Sequence, residues 1–153
     1  MNFELKKLAT EYSIATERHR MLRLAFGLAC VDRVRHLLEE PRAVELLEVL
    51  HAFVDGRADD AALQTAATEA AHIANHHRGS RSIDGSGHSA VSATYAVAAA
   101  LAGKAEAAAE YAAYATVYGY GGYAVNDPDA FAPEYAWQVA TLESLIATQP
   151  AQH

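Results

Sequence analysis

Glu69, His72 and His76 stand in E-x-x-H-x-x-x-H order. On one helix that spacing stacks a carboxylate and two imidazoles on neighbouring turns, which is part of a metal site. Carboxylate-bridged bundle sites repeat the Glu-x-x-His unit on a second helix, and here Glu106 and Glu110 have no histidine three residues on. The plainer account is a set of solvated helix-end histidines, so no metal is assigned and the trio is carried as an alternative site for a metal or small ligand. His76, His77, Arg78 and Arg81 precede a Gly-Ser run whose backbone N–H groups can cradle an anion. The run lacks the G-x-x-x-x-G-K-[ST] pattern, and positive charge complementing a helix C-terminus accounts for it. There is no G-x-S-x-G elbow and no H-E-x-x-H, and the lone cysteine, Cys30, falls in an apolar helix where its thiol is expected to be buried. No catalytic residue and no cofactor are assigned. The chain reads as a non-enzyme.

A different chemistry, that of contact, is written into 119–133, GYGGYAVNDPDAFAP. Gly119, Gly121 and Gly122 free the backbone, while Tyr120, Tyr123 and Phe131 offer aromatic area at low side-chain entropy cost. Asp127, Asp129 and Glu134 add negative charge beside them. Just before, Tyr111, Tyr114 and Tyr118 recur at i, i+3 and i+7, a tyrosine stripe on one helical face. The partner-binding set is therefore Tyr118, Tyr120, Tyr123, Asp127, Asp129, Phe131 and Glu134. The competing account folds these aromatics back as a lid over the final helix and Trp137.

The elements that must position these residues are helices. Residues 21–31, MLRLAFGLACV, carry Arg23 as their one charge, so a helix over 21–38 is apolar on nearly every side and belongs at the centre of a bundle. Leu24, Leu28, Val31 and Leu38 share one face; Leu22, Phe26 and Ala29 lie on another. Arg20, Arg33 and Arg35 sit near its ends, where long stems can pack while the charges reach water. Pro41 suits the first turn of the next helix, which ends at Asp55-Gly56 and faces inward on two sides. A short amphipathic helix over 3–13 offers Phe3, Leu5, Leu8 and Tyr12 to the central helix, and Thr16 is a candidate N-cap. Asp59 or Asp60 caps a fourth helix over 61–77, with Leu63, Ala66, Ala67, Ala70, Ile73 and Ala74 inward. Helices over 89–101 and 104–118, divided by Gly103, form a tight hairpin. Pro133 opens the last helix, with Ala136, Trp137, Ala140 and Leu145 on its buried side. Loops are expected at 79–87 and 119–133. No alternating run bounded by hairpin turns suggests a strand, and the alanines show no fixed period.

With 153 residues and 52% hydrophobic content the chain can bury one core, so a single domain over 1–153 is expected. A formal charge of -7 argues against nucleic acid, whose phosphates are neutralised by clustered Lys and Arg, and fits a basic partner instead. One cysteine excludes an internal disulfide and suits a reducing compartment. No apolar run is fit for a signal peptide or reaches the ~20 residues of a spanning helix. A cytoplasmic protein without membrane contact is expected.

The segments LACVDRVRHLLEE and RAVELLEVLHAFVDGRADDAALQTAATEAA resemble a bacterial all-helical family. It includes immunity proteins of polymorphic-toxin loci and related uncharacterised helical proteins. The matching positions are Arg33, His36, Leu37, Leu38, Arg42, Ala43, Glu45, Phe53, Asp55 and Gly56. They cover about a third of the chain and are mainly structural. The resemblance implies an α-helical protein that works by binding another protein. The reading is an all-α bundle of six or seven helices, acting as a non-enzymatic protein-binding module of the immunity or antitoxin type that masks a basic partner. A bundle holding a metal or small ligand, and a scaffold forming homo-oligomers through alanine-rich faces, are its rivals.

Overall fold

The computed structural model describes residues 1–77 and 86–149. Its helices are α1 (Phe3–Glu11), α2 (Arg20–Asp32), α3 (Pro41–Val54), α4 (Asp60–His76), α5 (Ser86–Leu101), α6 (Ala105–Tyr118) and α7 (Pro128–Ala147), with 3₁₀ turns at Glu17–His19, Arg35–Leu37 and Gly122–Asn126. No strand occurs among the described residues. None of these helices is long and apolar enough to cross a membrane.

An apolar helix needs neighbours, and α2 packs against α3, α5, α6 and α7, while a stripe through Met21, Ala25, Ala29 and Asp32 stays partly or wholly exposed. Leu22, Leu24, Phe26, Leu28, Cys30 and Val31 are all buried. The helix stops at Asp32, well short of the expected residue 38. Val34 leaves the helical region, and a single 3₁₀ turn leads to extended backbone at Leu38. Extended backbone is also what Pro41 imposes on Glu40 before it. The break lets Val34 still reach the core, where it is fully buried, while Arg33 is delivered toward α7.

Alanine decides how near the partners of α2 can come. A Cβ added to Gly27 would lie 3.2 Å from the Cβ of Ala100 on α5 and 3.8 Å from that of Ala108 on α6. The three helices thus meet at a point lined by the smallest side chains available, at the close end of helix packing distances. Helices α5 and α6 form the expected hairpin, turned at Gly103 with φ +74°, a value that favours glycine. Their register is visible in the stacked pairs Tyr95 on Tyr111 and His88 on Tyr118, in which one helix counts up as the other counts down. Asp59 caps α4 by accepting from the Ala62 N–H, and Leu63, Ala66, Ala70 and Ala74 are buried as anticipated.

Two further expectations are corrected. Helix α1 packs on α7 rather than on the central helix, because Asn2, which caps α1 by accepting from Leu5 N–H, also donates to the Tyr135 carbonyl and to Gln138 Oε1. Phe3 is consequently left 74% exposed while Leu5 and Ala9 are buried. Thr16 precedes only a 3₁₀ turn and makes no side-chain cap. The loop expected at 79–87 lies outside the described residues up to 85, and α5 already begins at Ser86.

The Gly27 crossing gives a graded test. Gly27→Leu forces a branched side chain against Ala100 and is expected to destabilise by about 3 kcal/mol, the upper range for overpacking. Gly27→Ala should stay within about 1 kcal/mol of the parent, since the helix-propensity gain opposes the close contact. Chemical denaturation measures both, and equal stability of the Leu variant would refute the crossing.

Candidate binding surface

The segment expected to be a long loop is mostly built structure. Pro128, not Pro133, takes the first position of α7, and Asp127 caps it by accepting from the Asp129 N–H at 3.0 Å. Proline at that position lacks an N–H that would have no helical partner anyway, which explains why the helix starts there. Pro133 falls one turn further in, on the exposed side. The buried stripe of α7 is Phe131, Glu134, Gln138 and Leu142, while Ala136 and Ala140, expected inward, face solvent and Trp137 and Leu145 are half-buried.

Two polar residues on a buried stripe need partners, and both have them. Gln138 accepts from Asn2 and donates to the Ala109 carbonyl at 2.8 Å, joining α1, α6 and α7. Glu134 receives a two-pronged hydrogen bond from Arg33, Nε to Oε1 and Nη2 to Oε2, both 2.9 Å. The guanidinium also lies over the Trp137 ring, 4.5 Å from its centroid. Hydrogen bonding from Arg33 holds the Glu134 carboxyl below its ordinary value, and the Thr116 hydroxyl contributes in the same direction.

The proposed binding residues divide accordingly. Phe131 and Glu134 are buried, 7% and 5% exposed, and present neither aromatic area nor free charge to a partner. Phe131 belongs to α7 itself and packs on α6 rather than forming a lid over Trp137: it meets Tyr114 edge-on at 5.0 Å and clusters with Ala113, Val117 and Ala124. Tyr118 is half-buried and stacked on His88 at 5.1 Å. Tyr120 and Tyr123 are exposed, at 55% and 78%, with Asp127 and Asp129 exposed on the same segment. Gly121 has φ +126°, and a Cβ there would come within 2.6 Å of the Tyr123 ring. The ring is therefore seated on a backbone position that only glycine can supply.

Beside Tyr120 a cleft of about 390 Å³ opens between the end of α2, the end of α6 and the first half of α7. Arg33, His36, Thr116, Gly119, Tyr120 and Glu134 line it. Sequence reasoning did not join these residues, although Glu134 and Gln138 at helical spacing from Phe131 were a signal that this face of α7 has polar partners.

Elsewhere the candidates disperse. Glu69 is held by both Arg42 Nε and Nη2, the latter at 2.9 Å, and His76 Nδ1 bonds the His72 carbonyl at 2.8 Å. No group of three or more His, Cys, Asp or Glu able to hold a metal occurs among the described residues. Arg78 and Arg81 of the anion reading lie outside them. Cys30 is buried, and burial pushes its thiol up to about 12, leaving it protonated. No family model, curated protein or solved structure matches this chain.

Because the folded-state pKa of Glu134 is depressed, its pairing stabilises fully above the unfolded carboxylate value of about 4.3 and is lost as pH falls through the lower folded value. Glu134→Gln is expected to lower stability at pH 7 by about 1–3 kcal/mol and to flatten the acid limb of the melting profile. Parallel acid limbs for variant and parent would contradict the ion pair.

Proposed function

We propose that the chain is a non-enzymatic protein-binding module, of the immunity or antitoxin type, that covers a basic surface on another protein through the segment Tyr120 to Asp129. The observation that carries this reading is Tyr123. It is the most exposed aromatic among the described residues, and its ring lies against the backbone of Gly121. An exposed tyrosine offers a large contact area at low side-chain entropy cost, the property that makes it effective at hot spots. Asp127 and Asp129 stand exposed beside it in a chain of net charge -7, which favours encounter with a positive surface. The family resemblance at Arg33 to Gly56 points the same way and concerns the scaffold rather than the contact residues.

Neither rival gains an observation of this kind. Glu69 is engaged by Arg42, and the alanine faces of α5 and α6 offered for self-association are largely buried within the molecule, Ala93, Ala96, Ala100, Ala108, Ala109 and Ala112 among them.

The test is capture of partners by the tagged chain from a lysate of the cell that encodes it, with identification and salt titration. The captured protein should be basic and released by added salt. Tyr123→Ser should weaken its binding by about 30-fold, the effect of a 2 kcal/mol hot spot, without lowering the melting temperature. Undiminished capture by Tyr123→Ser, or an acidic partner indifferent to salt, would reject the reading.

A further inference from the structure

The Arg33 guanidinium is held on one edge and one face. Nε and one N–H of Nη2 bind Glu134, and Trp137 covers the plane. The remaining edge, formed by Nη1 and the second N–H of Nη2, has no partner among the described residues, and Arg33 lines the cleft of about 390 Å³. Two parallel N–H donors on such an edge match the spacing of two oxygens of a carboxylate or phosphate. His36 and the Tyr120 hydroxyl line the same cleft, and neither has a hydrogen-bond partner among the described residues.

We infer that this cleft is a binding site for a small oxyanion, a carboxylate or a phosphate group, received end-on by Arg33 and flanked by His36 and Tyr120. Its volume lies at the lower end of small-ligand pockets. Glu134 does not oppose this as a free charge would, because its two oxygens are occupied by Arg33, and the pair is neutral as a unit. Net attraction is therefore slight, and recognition rests on directed donors rather than on field. A pre-fixed guanidinium suits that task, since no side-chain freedom remains to be lost when the anion arrives. The inference shares Tyr120 with the partner reading, but its test requires only the isolated chain and does not involve Tyr123.

Trp137 is the single tryptophan and lies against Arg33, so its emission reports on the cleft. Inorganic phosphate and acetate are titrated separately into the protein at constant ionic strength, with chloride as the balancing salt. At least one should give a saturable change in emission, accompanied by amide shifts at Arg33, His36 and Gly119. Saturation by phosphate alone identifies a phosphate-bearing ligand, and saturation by acetate, alone or together with phosphate, extends the class to carboxylates. His36→Gln, at a residue outside the core, should weaken the effective anion about fivefold, and Arg33→Lys, which loses the paired donors, at least tenfold. Should Arg33→Lys fail to fold, the His36→Gln result decides. No saturable response to either anion overturns the inference, as does a response with the same midpoint in His36→Gln.

Discussion

The close approach of α2 to the α5–α6 hairpin is the constraint on which the other elements depend. At Gly27 the central helix meets Ala100 and Ala108, and nothing larger than a methyl group separates the backbones. Short interhelical distances bring many atoms into contact per residue, which is how a chain so rich in alanine builds a dense core. Leu22, Leu24, Phe26 and Val31 then supply the bulk that alanine lacks on the remaining sides of α2. With the centre fixed, the end of α2 and the end of α6 are brought side by side, and α7 must bridge them.

Helix α7 is attached partly by polar pairing. Glu134 and Gln138 sit on its buried stripe, one tied to the end of α2 and the other to Asn2 and to the α6 backbone. Such groups are costly to bury alone and tolerable only when satisfied, so they specify one seating of α7 more sharply than an apolar stripe would. The same pairing fixes Arg33 in the wall of a cleft. What attaches the last helix also furnishes the candidate anion site. Next to it, the turn through Gly121 holds Tyr123 outward while Phe131 fills the gap beneath, so one segment serves both packing and exposure.

Function-bearing spacing proved a poor guide where neighbouring elements claim the same side chains. Glu69 has helical spacing to two histidines, yet an arginine from α3 takes its carboxylate. Glu134 counted as surface charge when read from its neighbours in sequence, since its partner is Arg33, far away along the chain. In both cases a salt bridge between helices, invisible to periodicity, decides what the residue can do.

The sequence by itself determined the helical class, the central place of α2, the start of α3 at Pro41, an aspartate cap at residue 59 or 60 and the Gly103 turn. These follow from local chemistry: proline lacks an N–H, glycine tolerates positive φ, and a helix with one charge in eleven residues needs neighbours. Only the tertiary structure decided that α2 ends at Asp32, that α1 rests on α7, which face of α7 is buried, and that Phe131 turns inward while Tyr123 does not. Each of those depends on a group distant in the chain, on Gln138 for Asn2, on Glu134 for Arg33, on Tyr114 for Phe131. Hydrogen bonds and packing between such groups exist only after the chain has folded, and a pattern read along the sequence does not contain them.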